Sequence, residues 1–258
     1  MDLPEHTGYS DMRLGFSTGA VAKGDVERGL ALIRESSADA VEVSALRDTE
    51  LPVLIDKLPR LDFTGFDYVA LHAPGAFTAL SERSVLAYLE RAAERGWPIV
   101  VHPDAITDWK GWRSFGELLV VENMDRRKAC GRTPEELEVV FEELPEAGLC
   151  FDIAHARQID PSMMLAGRIW DEFKGHVRHI HVSHVDAEGR HGALNRECVK
   201  AFAPLLQQAT PDVPLILESI VPPECVESEL TQLRDMLGLS VLSLNEGVSS
   251  KGANTSSL

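Results

Sequence analysis

The chain has 258 residues, 44% of them hydrophobic, and 25 Lys and Arg against 41 Asp and Glu give a net charge of −16. That length suits one large α/β domain, and the negative charge argues against nonspecific binding to a phosphate backbone. The four cysteines, Cys130, Cys150, Cys198 and Cys225, show no CxxC spacing, which speaks against a zinc finger or a disulfide framework and for reduced, mostly buried thiols.

In chain order, short apolar runs alternate with amphipathic stretches. "LGFSTGA" precedes a helix over 25–34, "DAVEVSAL" one over 50–61, "DYVALHAP" one over 81–96, and "PIVVHPDA" a segment containing Trp109 and Trp112. "LLVVENMD" then precedes a helix over 134–143, "GLCFDIAHA" one over 161–173, "HIHVSHVD" one over 195–208, and "PLILESIVP" one over 224–237. Eight nearly continuous apolar strands, each followed by a helix, fit a parallel sheet buried on both faces, so the expected fold is a single (β/α)8 TIM barrel, with a doubly wound sheet as the alternative. The barrel is placed over 1–242, and 243–258, rich in Ser, Gly and Asn, reads as a flexible tail. No stretch approaches the roughly 18 apolar residues of a membrane span, and the first residues lack a basic, apolar leader, so a cytoplasmic protein is expected.

In such a barrel the active site lies at the C-terminal ends of the strands. Here those ends carry His72, His102, Glu122, Asp152, His181 and Glu218. His155 follows in the turn after Asp152, and His191 lies in the loop after the seventh strand. Carboxylates and imidazoles together suit a divalent metal such as Mn²⁺, Zn²⁺, Co²⁺ or Mg²⁺, and a bound cation would relieve the repulsion among so many acidic groups. The loop "NMDRRKACGR" brings Arg126, Arg127 and Lys128 toward the same face, either to grip an anionic substrate group or simply as a solvated loop. Alternation along the seventh strand sets Val177, His179, His181 and Ser183 on one face and Arg178, Ile180 and Val182 on the other. Glu42 and Ser44 similarly alternate with Val41 and Val43, to contact substrate or to satisfy buried hydrogen bonds.

The motifs "LHAP", "VHPD", "VEN", "FDIAH", "HVSH", "RH" and "LES", in this order and at these strand positions, resemble the xylose isomerase-like TIM barrels over about residues 14–237. That superfamily joins the endonuclease IV type of apurinic endonuclease to sugar and sugar-phosphate isomerases and epimerases. The resemblance implies one divalent metal on Glu122, Asp152, His181 and Glu218. Glu122 and Glu218 would then form an acid/base pair acting through an enediolate, with His155 on a substrate oxygen. Substrate contacts are expected from His72, His102, Arg126, Arg127, His184 and Arg190, and the partner would be a small carbohydrate or sugar phosphate. The endonuclease branch implies instead a trinuclear zinc phosphodiesterase that adds His72, His102, His155 and His191. Its pattern has an aspartate two residues before the last of these, where this chain has Gly189, leaving Asp186 as a displaced substitute. A barrel that binds without catalysis is the third alternative.

Overall fold

Each apolar run of the sequence becomes a strand because its side chains are buried on both faces of the sheet. A computed structural model describes residues 12–239. The barrel strands are β1 (Leu14–Ser17), β2 (Ala40–Ser44), β3 (Tyr68–His72), β4 (Ile99–Val101), β5 (Leu119–Glu122), β6 (Gly148–Asp152), β7 (Val177–Val182) and β10 (Leu215–Leu217). All pair in parallel, and they close in the ring order β1-β10-β7-β6-β5-β4-β3-β2. The fold is therefore the (β/α)8 barrel expected from the sequence. The proposed boundary at 242 and the tail beyond it lie outside the described residues.

Helices α2 (Val26–Arg34), α3 (Leu51–Lys57), α4 (Glu82–Ala93), α5 (Trp109–Arg113), α6 (Pro134–Glu143), α8 (Met164–Phe173), α9 (Arg196–Leu206) and α10 (Val226–Leu237) follow the strands in turn. Their starts are chemically marked. Asp25, Ser81, Thr133 and Asn195 each accept a hydrogen bond from a first-turn amide, and Pro134 occupies the first position of α6, where no amide is needed. Trp112 is buried against Phe77 and donates to Glu82 at 2.8 Å, so it serves helix packing.

The strands separate two environments. Phe16, Val41, Val43, Leu71, Ile99, Val101, Val121, Phe151, Ile180, Val182 and Leu217 belong to the large apolar cluster shared with the helices, whereas Val100, Val120 and Cys150 form a small cluster apart from it. Strand alternation turns the second set into the barrel lumen together with Glu42, Ser44, Glu122, Asp152, His179 and His181, all buried. Val177 is the exception to the expected faces. It packs with the outer cluster because the β6–β7 register shifts between Leu149 and Cys150, moving it out of phase with His179. At Gly15 the neighbouring strand comes so close that a Cβ would lie 1.8 Å from the Ala40 carbonyl oxygen, which only glycine permits.

Three local elements escape the sequence pattern. Short α1 (Thr18–Ala22) follows β1 directly, and α7 (Ile153–Ile159) starts at the end of β6 inside "FDIAHA". The loop after β7 folds as an antiparallel hairpin, β8 (His184–Val185) with β9 (His191–Gly192). No helix among the described residues is long and apolar enough to cross a membrane. The described cysteines are unpaired, Cys150 and Cys198 buried and Cys130 and Cys225 partly so.

Candidate metal centre

Glu122 is the hub of the C-terminal face. Its Oε2 lies 3.0 Å from His72 Nε2 and 3.3 Å from His102 Nε2, and its Oε1 lies 3.1 Å from His155 Nδ1 and 3.7 Å from His181 Nδ1. Asp152, one strand over, accepts from the His155 backbone amide at 2.7 Å and so caps α7. Asn123 fixes Asp152 in place: its side chain donates to the Asp152 carbonyl and accepts from the Asp152 amide, both at 2.8 Å. Glu218 follows β10, with Oε2 3.5 Å from both His181 Nδ1 and His191 Nδ1. The hairpin brings His191 back to the cleft, where Ser183 Oγ lies 3.0 Å from its Nδ1.

Ligand atoms of Glu122, Asp152, His181 and Glu218 lie within 4.8 Å of one another, and His72, His102 and Glu122 form a second such group that shares Glu122. Two atoms of the first group, Asp152 Oδ2 and His181 Nδ1, are buried without a hydrogen-bond partner. Buried polar atoms are rarely left so, and a cation between them would satisfy both. The donor set of three carboxylates and one imidazole fits a divalent ion of intermediate hardness.

Charge in the cluster is tightly linked. Burial opposes protonation of His72, but its hydrogen bond to Glu122 and the surrounding carboxylates prevail and raise its pKa to about 9. His155, also buried, is raised to about 10 by Asp152 and Glu122. His181 is likewise raised against burial by the negative groups around it. Burial disfavours the charged form of Glu122, yet the imidazoles of His102 and His181 hold its carboxyl well below the usual range. Burial pushes the Asp152 carboxyl up and the His102 imidazole down. A coordinating imidazole must give up its proton. Because their folded-state values are raised, metal-free His72 and His155 keep their protons until the pH rises through about 9 to 10, and His181, shifted in the same direction, must lose a proton to coordinate. Metal binding at pH 7–8 is therefore expected to release protons and to weaken as the pH falls. Calorimetric titration in buffers of different ionisation heat measures this, and an observed heat independent of the buffer would contradict it.

A cavity of about 520 Å³ opens above the cluster, lined by His72, His102, Glu122, His155, His191 and Glu218 and, toward its rim, by Lys23, Arg47, Arg127 and Lys128. Arg127 is held by Asp125 and by the Glu188 carbonyl at 2.9 Å, and Lys128 by Asp104 and the Gly75 carbonyl. The other sequence candidates are not brought into the cavity. Arg126 lies outside its lining, and Arg190 is exposed and paired with Asp186 and Glu188. Asp186 is spent on Arg190 and on the backbone amides of Glu188 and Arg190, so it does not stand in for the missing aspartate. His184 turns away, its Nδ1 3.5 Å from Cys198 Sγ, because β8 directs it toward α9. Gly189 is fixed by backbone and neighbour alike: its φ is +75°, and a Cβ would lie 2.0 Å from the Arg127 guanidinium carbon. Gly189→Asp is thus expected to displace Arg127 and to cost about 1–3 kcal/mol without adding metal-binding capacity. Thermal melting and metal titration of the variant check both parts.

Sequence reasoning left Glu42 undecided and overlooked its partners. It is fully buried, with Oε2 3.0 Å from His181 Nε2 and 3.3 Å from His179 Nε2. The apolar–polar alternation in "VEV" was the signal for its inward face.

The fold and the site define a (β/α)8 barrel whose C-terminal rim gathers donors able to hold a divalent metal. Residues 112–236 match the family model described as xylose isomerase-like TIM barrel. Among solved structures it resembles endonuclease IV from Thermus thermophilus, at 20% identity and a TM-score of 0.57, covering 88% of this chain and 99% of that one. It also resembles an L-ribulose 3-epimerase, at 16% identity and a TM-score of 0.53, covering 91% of this chain and 89% of that one. A third is a xylose isomerase-like TIM barrel protein from Mycobacterium smegmatis in complex with magnesium, at 13% identity and a TM-score of 0.56, covering 89% and 99%. These likenesses are of fold. No curated protein sequence matches the chain.

Proposed function

We propose that the protein is a divalent-metal-dependent isomerase or epimerase of a small sugar or sugar phosphate. The observation that carries this reading is the convergence of Glu122, Asp152, His181 and Glu218 within 4.8 Å at the floor of a cavity of about 520 Å³, a size suited to a monosaccharide. These four residues would hold the ion. When bound, a divalent ion supplies Lewis acidity toward a carbonyl and its adjacent hydroxyl, easing loss of the proton from the hydroxyl-bearing carbon beside the carbonyl. Glu218, 16% exposed in its side chain, faces the cavity and would take that proton, while Glu122 lies across the cluster on a strand three positions around the ring and would return one. His155, His72 and His102 would hold substrate oxygens by donating hydrogen bonds. Arg127 and Lys128 at the rim would orient the far end of the substrate.

The group of His72, His102 and Glu122 favours a second reading, a phosphodiesterase with two metals sharing Glu122. Against duplex DNA as its substrate stand the net charge of −16 and rim cations already paired with Asp125 and Asp104. Incubation with ketopentoses, ketohexoses and their phosphates in D₂O with Mn²⁺, followed by NMR, is expected to show deuterium entering the carbon beside the carbonyl. Hydrolysis of bis(4-nitrophenyl) phosphate without any exchange, together with two tightly held metals per chain, would replace the first reading by the second.

A further inference from the structure

The lumen beneath the metal cluster is occupied by a buried polar column where aliphatic layers would ordinarily pack. Tyr68 Oη, at the start of β3, is hydrogen-bonded to His179 Nδ1 at 2.8 Å. His179 Nε2 lies 3.3 Å from Glu42 Oε2, and the same oxygen is hydrogen-bonded to His181 Nε2 at 3.0 Å. Glu42 and His181 stand 139 residues apart, on strands three positions apart in the ring, so the contact bridges the lumen rather than following the sheet. Burying a carboxylate here costs several kcal/mol that an aliphatic side chain would not. Glu42 does not line the substrate cavity, so substrate contact does not account for it.

Its placement does. The two nitrogens of an imidazole point in opposite directions, and an acceptor on one fixes both the ring orientation and the nitrogen that keeps a proton. With Nε2–H donating to Glu42, His181 Nδ1 is aimed between Glu122, at 3.7 Å, and Glu218, at 3.5 Å, where it has no hydrogen-bond partner of its own. His179 packs edge-on against His181, with centroids 4.7 Å apart and planes at 83°, and Tyr68 anchors His179 in turn. We infer that Glu42 is a positioning residue for the metal centre: through His181 Nε2, and backed by His179 and Tyr68, it presents His181 Nδ1 as a ligand.

This inference rests on the metal reading above, and two measurements separate their failures. The first is the Co²⁺ dissociation constant of the full chain, obtained by competition with a chelator, in wild type and Glu42→Gln. The variant is expected to bind 10- to 100-fold more weakly, the usual effect of losing a partner that orients a metal-ligating histidine. The second is ¹⁵N-resolved NMR of the histidine side chains, with and without Zn²⁺. Wild type is expected to show a slowly exchanging proton on His181 Nε2, and Glu42→Gln to lose it. A folded Glu42→Gln protein that binds Co²⁺ as tightly as wild type overturns the inference. So does a wild-type spectrum without a protected His181 Nε2 proton, which decides the matter even if the variant fails to fold. Wild type that binds no Co²⁺ but keeps this proton overturns the metal reading and, with it, the role assigned to Glu42.

Discussion

Glu218→Gln is expected to lower kcat by about 10²- to 10⁴-fold, the usual contribution of a positioned general acid or base, with the fold intact. Glutamine keeps the shape of the side chain but carries neither its charge nor its capacity to accept a proton. Of the two cluster members that line the cavity, Glu122 and Glu218, Glu218 is the more exposed, and its Oε2 makes only long approaches, 3.5 Å each, to His181 and His191. Nothing in the barrel wall depends on it, so the melting temperature should change little. The rate of deuterium exchange into substrate measures the effect at saturating metal, and a full rate in the variant would remove Glu218 from proton transfer.

Asn123→Ala is expected to cost about 2–5 kcal/mol of stability, because two buried backbone groups lose their partners at once. The Asn123 side chain imitates one more residue of strand pairing: it receives the Asp152 amide hydrogen and donates to the Asp152 carbonyl, both at 2.8 Å, just where β5 and β6 end. Denaturant titration should show a lower midpoint with an unchanged slope. Since the same two bonds set the position of Asp152, metal affinity should fall as well, by about tenfold. A variant with wild-type stability would show that water or another side chain fills the gap.

The fold was legible because eight apolar runs, "VEVSAL" and "LLVVEN" among them, are short, nearly continuous and followed by helical periodicity. Local pattern alone carries that information. The cluster was legible for a related reason: in a parallel barrel, the residue closing each strand is delivered to one rim, so His72, Glu122, Asp152 and His181 could be placed from strand ends alone. Three residues on the hairpin were not. His184, Asp186 and Arg190 follow the geometry of a tight loop, where the left-handed turn at Gly189 and the pairing of Val185 with His191 decide direction, and no periodicity marks either. The His181 partner of Glu42 escaped for the opposite reason, since it lies far along the chain and across the lumen. Val177 was misplaced by a single register shift that leaves no trace in its own strand.

The separation of the barrel into an apolar outer face and a polar lumen has a consequence for how the chain finds its register. A slip of one residue turns every side chain of a strand to the other face. For β2 that would drive Glu42 under the helices and bring Val41 and Val43 into the lumen, and for β7 it would strand His179 and His181 among Phe151, Ile180 and their neighbours. Each misplaced ionisable group, buried without its partners, would cost several kcal/mol. Shifted pairings are thereby rejected by the same side chains that form the site, which proofread the assembly of the barrel before they perform any chemistry in it.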